Sequence, residues 1–356
     1  MRSVLPLCSL TALLLLGSSA VAADYQGTLY YTRFSGQPNV TSLNFTYSDT
    51  THVLAYGTQH DIASLNGADG IMFAPNGNLL VTSNATGLVY RLDQNTGTTL
   101  QSVSTGTSGL PDFHMALDPT STVFYSSNRY NRVSGPLDTF AINANGTINN
   151  ATTTPIVGDD SNVTQLAFAP NGKILYVDGT PNSFGSIGLF TFTSPNDLTS
   201  QLVPANQVRA AHGVIYDPFT GLWTMFGGGS VATMDPNGAT NAAITASLKQ
   251  STQFIGDFDQ GAVDGFGHAL IAGSSAITFL DYSVSHDITQ PNQVIIRTTD
   301  GVGNSFGAID DVAPLVGLGS LPEPSSVSLL AGGALGLLVA RWRWRRRDGS
   351  VRQGAR

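Results

Sequence analysis

The feature that most constrains this chain is a repeat. Three stretches read alike: residues 67–97 (GADGIMFAPNGNLLVTSNATGLVYRLDQNTG), 112–131 (DFHMALDPTSTVFYSSNRYN) and 162–179 (NVTQLAFAPNGKILYVDG). Two looser copies follow at 210–229 (AAHGVIYDPFTGLWTMFGGG) and 257–273 (DFDQGAVDGFGHALIAG). Each has a short apolar run, a turn built on Pro and Gly, and a second apolar run. Proline fixes φ and glycine accepts a positive φ, so Ala-Pro-Asn-Gly and Asp-Pro-Phe-Thr-Gly reverse the chain. Alternation such as Leu88-Val89-Tyr90-Arg91-Leu92 adds further strands. No stretch of the body carries a helical period. Taking Asp69, His114, Thr164, His212, Asp259 and Asp310 as equivalent starts, the spacings are 45, 50, 48, 47 and 51 residues.

A period near 48 with about four strands per unit is the signature of a β-propeller. The sixth start has no complete unit after it, only FGAIDDVAPLVG (306–317). The first unit, residues 24–65, supplies about three strands and lacks a repeat-like inner one. The C-terminal strand is therefore expected to pair with the sheet of residues 27–57, closing a six-bladed, all-β ring and removing its free edges. The motif pattern resembles the six-bladed family of NHL-repeat, gluconolactonase-like and strictosidine-synthase-like propellers.

The two ends read differently from the body. Residues 1–23 carry one early cation (Arg2), an apolar run and small residues at Ala20, Ala22 and Ala23, the layout of a secretory signal peptide. The only cysteine, Cys8, lies there, so residues 24–318 hold no thiol, disulfide or thiolate metal site. After a linker at 319–326 comes an apolar segment and arginine cluster at 327–347, then a polar extension at 348–356. Pro322-Glu323-Pro324, the short apolar run and Arg341, Arg343, Arg345, Arg346 and Arg347 resemble the PEP-CTERM sorting signal of Gram-negative bacteria. That resemblance implies a short C-terminal transmembrane sorting helix and a membrane-anchored precursor at the inner membrane. It also implies processing by an exosortase-type protease and delivery to the cell surface or extracellular matrix. The arginines would hold their end on the cytoplasmic side.

Charge narrows the partners. Between the two ends stand eight Lys and Arg against 22 Asp and no Glu, a formal charge of −14. A nucleic-acid surface needs a basic face, and none is present. Ser126–Arg132 (SSNRYNR) is a basic-aromatic patch suited to anionic extracellular polysaccharide.

In a propeller the starts of the inner strands converge on the central channel. In strict register these are Asp69, Phe113, Thr164, His212, Asp259 and Asp310; a slip of one residue brings in His114, Gln165, Gln260 and Asp311. Asp69, His212, Asp259 and Asp310 form the candidate metal set, suited to Ca²⁺, Mn²⁺ or Zn²⁺. In the lactonase-like propellers that the body resembles, such a ring holds a divalent metal that polarises a lactone carbonyl. Two readings follow: a surface or matrix propeller with a binding or structural role, or a metal-dependent hydrolase or lyase at the channel. A ring with three or more donors within reach of one point favours the second; a plugged channel with an outer patch favours the first. No nucleophile elbow, EF-hand loop or phosphate loop is present.

The tail generates a test. Mass spectrometry of the exported protein from its native host should show a chain ending near Pro324. A surface-released protein that still carries Arg356 would contradict processing.

Overall fold

The structure, a computed structural model, describes residues 24–105, 113–127, 137–149, 152–154, 156–157, 163–179, 184–191, 197–254 and 258–313. The signal-peptide segment, the Pro-Glu-Pro tail and most of the basic-aromatic patch lie outside these residues. Among the described residues no helix is long and apolar enough to cross a membrane.

The chain divides into two units by contact, one of them residues 27–45 and 54–318. The other includes the described residues 24–26 and 46–53, where the Tyr47 hydroxyl lies 3.2 Å from His52 Nδ1.

Among the described residues six sheets follow one another along the sequence, antiparallel apart from one outer-edge strand, and the fold is a six-bladed propeller. Blade two is the regular case: Ala68–Phe73, Leu79–Ser83, Leu88–Leu92 and Thr99–Ser104, each hydrogen-bonded to the next. Its first turn explains the repeat. Gly77 sits at φ 86°, its N–H donates to Ala74 O at 2.9 Å, and Ala74 N–H donates to Asn78 O at 2.8 Å. The same turn recurs at Ala169–Lys173, with Gly172 at φ 84°. A side chain at either glycine would strain the reversal that brings the second strand back.

The inner strands of blades two to six are Ala68–Phe73, Met115–Leu117, Gln165–Phe168, Gly213–Asp217 and Phe258–Val263. Each packs beside the next, and the sixth neighbour in the ring is the C-terminal strand Ile309–Val312. That strand is the inner edge of the sheet containing Asp24–Arg33, Val40–Ser48 and Val53–Ala63. It pairs antiparallel through Tyr31↔Val312 and Arg33↔Ile309, as the repeat count implies. Apolar side chains fill the layers between blades. Leu80, Val89, Phe124 and Phe140 pack between blades two and three; Leu175, Val208, Trp223 and Met225 pack between blades four and five.

Two elements depart from the sequence reading. Blade four has a fifth strand, Ile156–Val157, which runs parallel to Asp197–Val208 on the outer edge. Blade five contains a helix, Asn241–Ala246, capped by the Thr240 hydroxyl and anchored by buried Ile244. Six residues are too few to display a helical period, so the element is set by its cap and one buried side chain.

Ring closure gives the second test. A chain cut after Ser305 should lose cooperative thermal unfolding, because it exposes the inner edge of blade one and opens the channel. A cut chain melting within about 3 °C of one ending at Leu318 would contradict closure as a source of stability.

Candidate functional site

Three of the six inner strands carry an irregularity at the same level. In blade two, Asp69 and Gly70 together oppose Thr82, between the pairs Ala68↔Ser83 and Ile71↔Val81. In blade six, Asp259 and Gln260 oppose Ala272, between Phe258↔Gly273 and Gly261↔Ile271. In blade one, Asp310 and Asp311 oppose Thr32, between Tyr31↔Val312 and Arg33↔Ile309. Two residues against one is the count of a β-bulge, a device that re-aims side chains. Here it delivers four aspartates to the channel.

Local hydrogen bonds fix this register. Thr32 Oγ1 donates to Asp69 O at 2.6 Å and accepts from Asp311 N–H at 3.1 Å, tying blades one and two. Thr82 Oγ1 donates to Phe113 O at 2.6 Å, tying blades two and three. Gly70 makes the close approach possible, since a Cβ there would stand 2.1 Å from the Phe113 carbonyl oxygen.

The imidazoles enter from blades three and five. His212 Nδ1 lies 2.6 Å from the Gly179 carbonyl oxygen, which can only accept, so Nδ1 carries a proton and donates it there. Its Nε2 is turned to Asp259 Oδ1 in direct contact. A backbone carbonyl on one imidazole nitrogen is the arrangement that orients the other as a metal ligand. His114 Nε2 lies 3.3 Å from Asp311 Oδ1 and 3.7 Å from Asp259 Oδ1. The two imidazoles pack edge to face, with centroids 4.8 Å apart. One donor atom from each of His114, His212 and Asp259 falls within 4.8 Å of the others, and so do donors of Asp69, His114 and Asp311.

The cluster is buried, and its charges are not offset by cationic side chains. Among the described residues no Lys or Arg pairs with its aspartates. Asp69, Asp310 and Asp311 are buried, while the Asp259 side chain is 14% exposed. Both Asp311 oxygens and Asp310 Oδ2 are buried with no hydrogen-bond partner. Burial, then repulsion from Asp311 and Asp259 outweighing attraction by His114, pushes Asp69 up to about 7. Asp69 is positioned by Asn84 Nδ2, which donates at 2.8 Å. Burial and the neighbouring carboxylates drive Asp310 well above the carboxylate range, and burial with Asp259 does the same to Asp311. Asp259 alone goes down: burial opposes its ionisation, but His212, His114 and a hydrogen bond from Asp310 prevail. Either protons or a cation must neutralise such a group. Two imidazole nitrogens with carboxylate oxygens fit Mn²⁺ or Zn²⁺ better than Ca²⁺, which favours all-oxygen sets.

Of the residues selected from sequence, His212 and Asp259 touch, Asp310 hydrogen-bonds Asp259, and Asp69 lies beside His114 and Asp311. His114 and Asp311, one residue off strict register, are therefore full members. Thr164 is not a donor to the cluster; its hydroxyl donates to Gly179 O at 3.1 Å. Phe113 is buried. Gln165 spans strands, with Oε1 accepting from Val214 N–H at 2.6 Å and Nε2 donating to Met115 O at 3.3 Å.

No protein-family model and no curated protein matches the chain. Solved structures do match in fold. A protein of unknown function from Bacteroides thetaiotaomicron aligns at 11% identity over 80% of this chain and 85% of that one, with a TM-score of 0.53. A candidate 6-phosphogluconolactonase from Bacteroides fragilis aligns at 12% identity over 83% and 98%, TM-score 0.52. The PQQ-bound aldose sugar dehydrogenase of Streptomyces coelicolor aligns at 14% over 82% and 90%, TM-score 0.51. At these identities the likeness is one of architecture.

The electrostatics predict an inverted pH dependence. Folded Asp69 keeps its proton to about pH 7, whereas an unfolded aspartate releases it near pH 4. Between those values the folded chain binds more protons, so stability falls as pH rises. Raised Asp310, Asp311 and Asp217 act with the same sign, and lowered Asp259 acts only below that window. In EDTA the protein should melt about 5 °C or more lower at pH 8 than at pH 5. A melting temperature that rises over this range would contradict the assignment.

Proposed function

We propose that this chain is an exported propeller that binds one divalent cation among His114, His212, Asp259 and the neighbouring Asp69, Asp310 and Asp311. The reaction class we assign to it is hydrolysis or lyase cleavage of a small cyclic ester or related carbonyl compound at the channel mouth. The carrying observation is the convergence of two imidazole Nε2 atoms on three buried aspartates and the partly buried Asp259, with no cationic side chain among the described residues to neutralise them. Buried carboxylates that lack hydrogen bonds are costly unless a ligand completes them.

When bound, a divalent cation supplies Lewis acidity toward a carbonyl oxygen. The chain supplies the rest. His212, oriented by Gly179 O, and His114, packed edge-on against it, present nitrogen donors. Asp259, the most exposed of the aspartates, marks the side from which a small molecule reaches the cluster. Asp69, steadied by Asn84, holds a proton beside His114 and Asp311. The fold likeness to a candidate 6-phosphogluconolactonase agrees with this reading in architecture.

The sequence supports the setting. Residues 1–23 direct export, and the Pro-Glu-Pro tail presents the precursor to an exosortase-type protease at the inner membrane. The product is released to the cell surface or matrix, where the SSNRYNR stretch contacts anionic polysaccharide.

Thermal shift with Mn²⁺ or Zn²⁺, followed by turnover of a panel of lactones, tests the proposal. A cation at a hundredfold excess over its Kd should stabilise the protein by about 2.7 kcal/mol. His212→Ala and Asp259→Ala should abolish both the shift and lactone hydrolysis. Asp287→Ala, which removes a surface ion pair with Lys249, should leave both intact. Wild-type protein that shows neither shift nor turnover would overturn the proposal.

A further inference from the structure

The channel has a second end of opposite chemistry. Beyond the carboxylates, towards the ends of the inner strands, lies a cavity of about 450 Å³. Its walls come from five blades and are mostly apolar: Met72, Phe73, Leu117, Phe168 and Tyr216 are among them. The volume is within the ordinary range of small-molecule sites, which combine apolar walls with a few placed polar groups. Thioethers at Met72 and Met115 give those walls shape tolerance.

Two amides lie at the border of this cavity, and they differ. Gln165 uses both its oxygen and its nitrogen on backbone groups of blades five and three. Gln260 lines the same cavity, is 4% exposed, and its Oε1 is buried with no hydrogen-bond partner. Gln260 is the second residue of the blade-six bulge, so the irregularity that sends Asp259 to the cation cluster also sets this amide beside the apolar space. A hydrocarbon body would use the walls and leave the amide oxygen unsatisfied. A body that also carries one hydroxyl or N–H would satisfy it.

We infer that the apolar half of the channel is a binding site for a compact one- or two-ring molecule bearing a single hydrogen-bond donor, such as a phenol or cyclic alcohol, received by Gln260 Oε1. This site is separate from the cation cluster and does not require it.

The test uses the full chain with two probes of the same body, 2-naphthol and 2-methoxynaphthalene, followed by fluorescence. 2-Naphthol should bind saturably, one per chain, and about tenfold more tightly than its methyl ether, the worth of one hydrogen bond. EDTA should not change either affinity, which separates this inference from the cation proposal. Gln260→Leu should reduce 2-naphthol to the level of the ether. Ala116→Trp, placed in the cavity wall, should abolish binding of both while the melting curve stays cooperative. Equal affinities of the two probes for the wild-type chain, or non-saturable binding, overturn the inference without recourse to any variant. Unchanged 2-naphthol binding in a folded Ala116→Trp protein overturns it as well.

Discussion

The pairing of Ile309–Val312 with the strand that holds Tyr31 and Arg33 is the contact on which the rest depends. It joins the two ends of the propeller and covers the inner edge of Asp24–Arg33, which would otherwise be open. The same four residues bring Asp310 and Asp311 into the channel, because the register slips by one opposite Thr32. Closing the fold and completing the cluster are therefore one event. A chain that fails to close loses two of its four channel aspartates together with the inner edge of its first blade.

That coupling has an electrostatic cost. Burial and mutual repulsion raise Asp69, Asp310 and Asp311, while the imidazoles hold Asp259 ionised. A closed ring without a cation must carry protons on several carboxyls. With a cation, the carboxylates become ligands and the same burial turns from penalty to selectivity, since water is excluded from competing. The opposite half of the channel escapes this tension, being lined by Met, Leu, Phe and Ala. A single bulge in blade six serves both halves, with Asp259 facing one and Gln260 bordering the other.

Much of this architecture was legible in the sequence. The Ala-Pro-Asn-Gly turns and the spacing of about 48 residues fixed six units, and the orphan strand after residue 306 fixed the closure. The channel position was legible too, through Asp69, His212, Asp259 and Asp310. What escaped was the bulge. Strict repeat register treats each inner strand as regular, so it selects one residue per blade and admits His114 and Asp311 only through a slip of one residue. An acid followed by glycine or a second polar residue at a strand start, as in Asp69-Gly70, Asp259-Gln260 and Asp310-Asp311, was the available signal. The short helix Asn241–Ala246 and the added strand Ile156–Val157 left no periodic trace, because neither is long enough for its pattern to repeat more than once.

Whether the aspartates and imidazoles act as a single cation site is open to direct observation. Crystals soaked in Mn²⁺ and measured at the manganese absorption edge report the ion's position independently of activity. The account predicts one anomalous peak bounded by His114 Nε2, His212 Nε2 and an Asp259 oxygen, with Asp311 or Asp69 on its far side. A channel without a peak, or a peak only at surface aspartates such as Asp93 or Asp118, would contradict it.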